Sequence, residues 1–129
     1  MLVARNAYIP GPASGDLWET SQAVAMDGNN GINWEVWILA VSGSVSAFEI
    51  YVQVSDDLEY WDDWNYPTTA AAIFDDKTVG KHAAGCGLKA SLGTPVIVTR
   101  RFARFKYKIT GASSSIILRA RLDPTTILK

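Results

Sequence analysis

Apolar and polar side chains alternate with a period of two along several segments of this chain, and this period is typical of β-strands that bury one face. In residues 32–41, one face of the predicted strand carries Ile32, Trp34, Val36, Ile38 and Ala40. The opposite face carries Asn33, Glu35, Trp37, Leu39 and Val41. Because the second face is also half apolar, we expect this strand to be central in its sheet or covered on both sides.

Two pairs of alternating segments, each joined by a short turn, predict two antiparallel hairpins. The first pairs residues 32–41 with 47–54, in which Phe48, Ile50, Val52 and Val54 face inward. The second pairs residues 103–109 with 116–122 across the turn Gly111–Ser115. In the second pair, the outward positions are mainly basic.

Weaker strand patterns occur at Thr20–Met26, Tyr60–Trp64, Thr69–Phe74 and Pro95–Arg100, and Asp27–Gly31 predicts a turn. No long segment repeats apolar residues at the spacings of a helix. We therefore predict an all-β fold, a single antiparallel β-sandwich of jelly-roll type. Residues 1–16 are expected to form an extended N-terminal arm, and residues 17–129 the sandwich domain, which includes a long Gly-rich loop at 79–95.

Composition narrows the class of protein. The chain has 129 residues, which suits one domain, and 48% of them are apolar, which is enough for a core. Its single cysteine, Cys86, excludes an internal disulfide. No signal peptide and no membrane-spanning run are visible, so we expect a soluble protein made in the cytoplasm without a secretion signal.

Charge is sorted along the sequence. Residues 1–76 hold twelve acids and one base, whereas residues 77–129 hold eleven bases and one acid. The whole chain carries a net charge of −1, which argues against general affinity for nucleic acid or anionic membranes. An asymmetry between halves raises the question of a partner.

The stretch Ser55–Trp64, SDDLEYWDDW, is the densest cluster of acids and aromatics. Ser55, Asp57 and Trp61 fit the spacing S-x-D-x-x-x-W, which resembles the Asp-box hairpin motif, although the glycine and threonine of that motif are replaced by Glu59 and Tyr60. In the motif, the Ser and Asp side chains bond turn amides and the Trp packs beneath the hairpin, in agreement with ordinary turn chemistry. We expect a structural turn here.

The end of this stretch is not explained by a turn. We expect its exposed side chains to contact a partner protein or a sugar ring, with Trp64 covering the sandwich edge as the structural alternative. The residues concerned are Trp61, Asp62, Asp63, Trp64 and Tyr66.

Catalytic and metal sites are weakly supported. Asp56, Asp57, Asp62 and Asp63 lack the spacing of an EF-hand, and no cleft is predicted that would raise the pKa of a glycosidase acid. His82 and Cys86 lack a third orienting group and are half of a zinc site. The glycines match no nucleotide-binding motif. We therefore predict no catalytic residue, no cofactor and no metal, and we classify the protein as not an enzyme.

The basic strands allow three interpretations. Outward bases on adjacent strands form a positive stripe for nucleic acid, pair with acids such as Glu35 and Glu49 within one sheet, or meet the acidic surface of another copy. The bases concerned are Arg104, Lys106, Lys108, Arg119 and Arg121.

The segments VQVSDDLEYWDDW and RRFARFKYKITGASSSIILRARL together resemble small β-sandwich proteins of tailed-phage and phage-like particles. The C-terminal part is also similar to discoidin-like and carbohydrate-binding jelly rolls. The first resemblance implies a structural role in a virion, as a decoration, minor capsid or tail-associated protein that contacts itself or neighbouring capsid or tail proteins. The second implies a carbohydrate-binding module that uses exposed Trp and Tyr side chains.

Overall fold

The computed structural model describes residues 2–11, 16–64, 72–85, 97–111 and 114–126, and its strands form two antiparallel sheets packed face to face. The predicted all-β sandwich is confirmed. The described strands are β1 (Leu2–Pro10), β2 (Asp16–Thr20), β3 (Val24–Ala25), β4 (Gly31–Ser42), β5 (Ala47–Ser55), β6 (Asp62–Asp63), β7 (Gly80–Gly85), β8 (Phe102–Thr110) and β9 (Ser115–Thr125). Sheet A has the order β1-β9-β4-β7, and sheet B has the order β2-β8-β5-β6, with β3 also paired to β8.

The strand order is that of a jelly roll once β2 and β3 are counted as one interrupted strand. Both pair with β8, and the break between them is bridged at Ser21, whose N–H donates to Phe105 O and whose Oγ accepts from Phe105 N–H, each at 2.9 Å. Sheet A then contains the first, eighth, third and sixth strands, and sheet B the second, seventh, fourth and fifth.

The core lies between the two sheets. Along β8, the odd-numbered positions from Ala103 to Ile109 are buried and the even-numbered ones are partly exposed, as period-two alternation predicts. Aromatic rings dominate the centre: Trp34 meets Phe74 edge-on at 5.9 Å, and Phe48 stacks on Tyr107 at 6.3 Å. Truncating one such ring to alanine costs about 3–5 kcal/mol.

Both predicted hairpins are wrong in their pairing, although their strand segments are confirmed. Strand β4 lies in sheet A and β5 in sheet B, and likewise β8 lies in sheet B and β9 in sheet A. Alternation marks which face is buried but does not distinguish a partner in the same sheet from one in the opposite sheet. A four-residue connection reaches about 13 Å, which is enough to cross the roughly 10 Å between packed sheets.

The crossings β4→β5 and β8→β9 pack against each other at one end of the sandwich, which we call the crossover end. Gly111 has a φ of 130° and lies against the carbonyl of Ser44, in a space that leaves no room for a side chain. Ser46 N–H donates to Thr110 O at 2.9 Å, and Gly11 N–H, beyond the end of β1, donates to Ser114 O at 2.6 Å. The close approach of these backbones fixes both crossings.

The predicted turn after residue 26 is confirmed at the opposite end. Asp27 and Gly28 both have positive φ, at 51° and 81°, and Asn29 donates to Met26 O through both its backbone N–H and its side-chain amide. This turn carries the chain from β3 in sheet B to β4 in sheet A.

The N-terminal arm predicted at residues 1–16 is replaced, over much of its length, by strand β1. Leu2–Pro10 pairs with β9 at the edge of sheet A, with register shifts between Leu2 and Ala4 and between Ala4 and Ala7. These bulges break the period of two, which explains why the sequence lacks a strand pattern here. Pro10, which has no N–H, ends the strand.

A bulge also changes which side chains of β4 face the core. The register shifts between Ile38 and Ala40, so that Leu39 and Ala40 are both exposed and Val41 packs against the core. The prediction that Ala40 shares a face with Ile38, and Val41 with Leu39, is therefore wrong, because an inserted residue inverts the alternation beyond it.

The Gly-rich segment 79–95 is a strand in part. Gly80–Gly85 forms β7 and pairs with β4, and residues 86–95 lie outside the described part of the chain, as do the first three residues of the predicted strand Thr69–Phe74. Phe74 and Ile97 form isolated bridges to Ile50 and Gly31. The part of the chain that the structure describes holds no helix of the length and hydrophobicity that a membrane crossing requires.

Candidate functional site

The turn that follows β5 is held by the side chains of Ser55 and Asp57, as the motif predicts. Ser55 is fully buried, and its Oγ accepts hydrogen bonds from the N–H groups of Asp57, at 3.2 Å, and Leu58, at 3.0 Å. One carboxylate oxygen of Asp57 accepts from the N–H groups of Glu59 and Tyr60, both at 2.9 Å. The backbone N–H groups of Tyr60 and Glu59 lower the pKa of Asp57, because they stabilise its charged form.

These bonds fix an exposed apex, residues 56–60, which we call the tip. Leu58 has a φ of 65°, and its side chain is 51% exposed. Tyr60 is 73% exposed. A non-glycine residue in this conformation carries about 1–2 kcal/mol of strain. Such strain persists where the surrounding bonds dictate the backbone, and strained, solvent-facing residues concentrate at functional sites.

Trp61 packs back onto this turn and against sheet B. Its indole N–H donates to Leu58 O at 3.3 Å, and the guanidinium of Arg104 lies 4.0 Å from its ring centre. The Arg104 Nε also donates to Gln53 Oε1 at 3.0 Å. Burial lowers the pKa of Arg104, which still keeps its charge because arginine titrates far above neutral pH. One face of Trp61 is therefore covered by a cation.

Asp62 and Asp63 are both paired with bases from the C-terminal half of the chain. Asp62 shares Arg100 with Asp56: Nε lies 2.7 Å from Asp56, and Nη1 lies 3.0 Å from Asp62. Asp63 lies 3.7 Å from Lys106. Asp62 and Asp63 are thus parts of two ion pairs, both exposed to solvent.

Trp64 covers the edge of the core. Its ring packs against the core, its indole N–H donates to Ile97 O at 2.9 Å, and its backbone N–H donates to Val52 O at 2.8 Å. This is the arrangement expected of a structural tryptophan. Tyr66, its predicted companion, lies outside the described residues.

The bases of β8 face polar residues of β5 on the outer face of sheet B. Glu49 lies opposite Lys108, with 3.9 Å between their charged atoms, and accepts from Tyr51 OH at 2.8 Å. Burial, reinforced by this bond to Glu49, raises the pKa of Tyr51 to about 12. Exposed pairs of this kind contribute about 0–1 kcal/mol each, so their main effect is to set the register of the strands.

The bases Arg119 and Arg121 lie on sheet A, on the opposite side of the molecule. The prediction that outward bases of adjacent strands form one positive stripe is therefore wrong, because β8 and β9 belong to different sheets. Arg121 pairs with Asp123 at 3.3 Å. Arg119 lies 5.1 Å from the ring centre of Trp37, and Lys81 lies 5.8 Å from it.

The outer face of sheet A combines apolar side chains with these cations, and we call it the A face. Across β1, β9, β4 and β7, it is formed by Tyr8, Ile117, Leu39, Ala40, Trp37, Arg119 and Lys81. Tyr8 is 61% and Leu39 42% exposed. The half-apolar second face of β4 was the sequence signal for this surface, but the bulge that exposes Leu39 and Ala40 had no signal.

Two donors are buried on the A face without an acceptor in the described part of the chain. They are the indole N–H of Trp37 and the Nε–H of Arg119. Leaving a buried donor unpaired costs about 1–3 kcal/mol. An unsatisfied group in a folded protein calls for a physical explanation, such as a partner that completes the surface.

His82 has a structural environment. Its ring lies edge-on to Phe74 at 5.1 Å, its Nε2 is 2.9 Å from Thr78 O, and its Nδ1 is 3.8 Å from Asp76. Cys86 lies outside the described residues. Within the described ranges, no three His, Cys, Asp or Glu side chains converge in the manner of a metal site.

Comparisons of this chain with family models, curated proteins and solved structures give no match. The fold and two surfaces, the tip and the A face, are therefore the features that bear on function.

Proposed function

We propose that this chain is a non-enzymatic structural protein of a phage or phage-like particle, and that it associates with copies of itself or with neighbouring capsid or tail proteins through complementary acidic and basic surfaces. The observation that carries the proposal is the strand order. Jelly rolls with this order occur in viral capsid and lectin domains. Because a fold alone does not define a function, the surfaces must distinguish these two classes.

The surfaces favour association with protein. The A face exposes an aromatic and an aliphatic side chain, Tyr8 and Leu39, beside two cations, and apolar side chains with arginine are typical of the centre of protein interfaces. The tip exposes Leu58 and Tyr60 beside the acidic side chain of Glu59. Both surfaces are held rigid by the sheet or by turn bonds, so little conformational entropy is lost on contact.

Acids of the N-terminal half and bases of the C-terminal half form ion pairs with each other within one chain. The pairs Asp62–Arg100, Asp63–Lys106, Glu49–Lys108 and Glu35–Lys81 join the acidic half to the basic half. The charge available for a partner is therefore local: Arg119 beside Trp37 on one side of the molecule, and Glu59 at the tip on the other. Such charge directs the orientation of a contact more than its affinity.

The proposal is tested by light scattering of the purified protein over a range of concentrations, at low and high salt. We expect species larger than the 14.1 kDa chain that grow with concentration and dissociate as salt screens the charges. A particle of 14.1 kDa at every concentration and salt level, together with absence of the protein from purified particles, would overturn the proposal.

Carbohydrate binding is the alternative, because lectin domains share the jelly roll. It is less well supported. The indole N–H groups of Trp61 and Trp64 bond to backbone carbonyls, and one face of Trp61 is stacked by Arg104. A glycan array tests it: binding that is lost in the variant Tyr60→Ala would favour a sugar platform at the tip, and an array without hits would remove the idea.

A further inference from the structure

The tip is a preformed knob. Four hydrogen bonds from backbone N–H groups to Ser55 and Asp57 fix its backbone, and they leave the side chains of Leu58 and Tyr60 outside the fold. The positive φ of Leu58 would suit glycine better, so the leucine side chain brings strain while about half of it stays exposed. A contact with another molecule would account for an apolar side chain at position 58.

The A face is a surface of the complementary kind. The bulge of β4 turns Leu39 and Ala40 outward, and Ala40 lies opposite Ile117, which in turn lies opposite Tyr8 on β1. These positions form an apolar row across three strands. The next row toward the other end of the sheet is Lys81, Trp37 and Arg119, which are direct neighbours in register on β7, β4 and β9.

The charges of the two surfaces are opposite. The tip carries Asp56, Asp57 and Glu59, of which Asp56 is paired with Arg100 and Asp57 is used within the turn, so that Glu59 presents the exposed carboxylate. On the A face, Arg119 lies over Trp37, and within the described ranges the Nε–H of the one and the indole N–H of the other have no acceptor. A carboxylate that draws Arg119 off the ring would supply one.

The two surfaces cannot meet within one molecule. The tip follows the last residue of β5, at the end of the sandwich opposite the crossover end, and it belongs to sheet B. The apolar row of the A face lies near the crossover end of sheet A, where Pro10 and Ser42 both pair with Ser115. Along β4, Leu39 is about 26 Å from Gly31, at roughly 3.3 Å per residue.

We propose that the tip of one copy docks on the A face of a second copy, a contact that rests on the self-association proposed above and assigns the surfaces that make it. Leu58 and Tyr60 cover the row formed by Tyr8, Ile117 and Leu39, and Glu59 approaches Arg119. Each contact leaves one tip and one A face unused. Such a head-to-tail contact closes into a ring or continues as a chain of subunits.

The contact is small and therefore weak. A knob of five residues covers much less than the about 800 Å² per partner of a standard stable interface. Association through it depends on high protein concentration or on a surrounding lattice that holds the copies together, and salt weakens it because the charges are exposed.

Two variants separate the surfaces. The tip variant Leu58→Gly/Tyr60→Ser removes both exposed side chains, and glycine suits the positive φ of position 58, so the fold is retained. The face variant Tyr8→Ser/Leu39→Ser changes two exposed positions of sheet A. Circular dichroism and thermal unfolding confirm that each variant is folded, and the single variants Leu58→Gly and Leu39→Ser replace any double variant that is not.

Light scattering of each variant alone and of their equal mixture tests the contact. We expect each variant alone to be a monomer where the wild type associates. In the mixture, the A face of the tip variant is intact and so is the tip of the face variant, so a pair of twice 14.1 kDa is expected and nothing larger.

Other outcomes overturn the proposal. If both variants associate like the wild type, self-association stands but uses other surfaces. If only the face variant is a monomer and the tip variant associates normally, the contact joins two A faces instead of a tip and a face. If the wild type itself is a monomer at every concentration and salt level, the self-association of the proposed function fails as well.

Discussion

The guanidinium of Arg104 lies 4.0 Å from the centre of the Trp61 ring, and this contact joins the turn after β5 to the outer face of sheet B. The same side chain donates to Gln53, so one arginine connects β8, β5 and the turn. This arrangement anchors the exposed tip to the rigid part of the sandwich. An arginine that stacks on a tryptophan and is partly desolvated contributes about 1–2 kcal/mol.

The variant Arg104→Ala is expected to lower the free energy of unfolding in urea by about 1–2 kcal/mol, because it removes the stacking, the bond to Gln53 and the packing of the side-chain stem. Arg121→Ala is the matched control. Within the described residues, Arg121 forms an exposed pair with Asp123, so its loss is expected to change stability by less than about 0.5 kcal/mol. Equal losses in the two variants would contradict the anchoring role of Arg104.

The buried hydroxyl of Ser55 is expected to hold the tip in place. Ser55→Ala leaves the N–H groups of Asp57 and Leu58 without their acceptor, and we expect a loss of about 1–2 kcal/mol in urea unfolding. Hydrogen exchange of the same two amides is expected to accelerate. Ser44→Ala, at an exposed position, serves as the control, and unchanged exchange at positions 57 and 58 in Ser55→Ala would count against the proposed turn chemistry.

Two glycines with similar positive φ, Gly111 and Gly80, separate backbone strain from close approach. Gly111 and Gly80 have φ of 130° and 137°, but only Gly111 lies against another backbone, that of Ser44. Gly80→Ala is expected to cost about 1 kcal/mol from backbone strain, and Gly111→Ala more than about 2 kcal/mol. Thermal unfolding of both variants tests this difference, and equal midpoints would mean that the two crossings do not depend on each other.

Stability at high pH reports the environment of Tyr51. Its pKa is about 12 in the folded protein, against about 10 for an unperturbed tyrosine. The folded state therefore holds the proton more tightly, and this contribution is complete below pH 10 and lost as the pH rises toward 12. It amounts to at most about 2.7 kcal/mol, less the effect of solvent screening.

The variant Tyr51→Phe is expected to flatten the fall of the free energy of unfolding between about pH 10 and 12, measured in urea at each pH. Tyr107, whose pKa burial also raises, contributes in both proteins and cancels in the comparison. If the variant and the wild type lose stability in parallel over this range, the hydroxyl of Tyr51 does not have the environment described here.

Sequence reasoning identified the strands better than their partners. Alternation located β4, β5, β8 and β9 because each buries one face over most of its length. It wrongly paired β4 with β5 and β8 with β9, because a connection of four residues can join two strands of one sheet or two strands of opposite sheets. Gly111 lies against the backbone of Ser44 because the two connections are side by side in the fold. This contact is a property of the folded structure, so the sequence alone did not reveal the crossing.

The candidate site was predicted in part. The spacing of Ser55 and Asp57 predicted the bonds that form the turn, because these side chains act on amides two or three residues away. The sequence did not predict Arg100 as the partner of Asp56 and Asp62, or Arg104 as the partner of Trp61. The exposure of Leu39 and Ala40 on the A face was not predicted, because it results from the bulge of β4, and no residue in the sequence marks that bulge.

Electron microscopy of the concentrated protein at low salt tests the central claim, that this chain builds assemblies with itself, most directly. We expect rings or chains of subunits that share one repeated head-to-tail contact, and their loss in the variant Leu58→Gly/Tyr60→Ser. A field of single particles the size of one 14.1 kDa chain, under all conditions in which the wild type is concentrated, would contradict the claim.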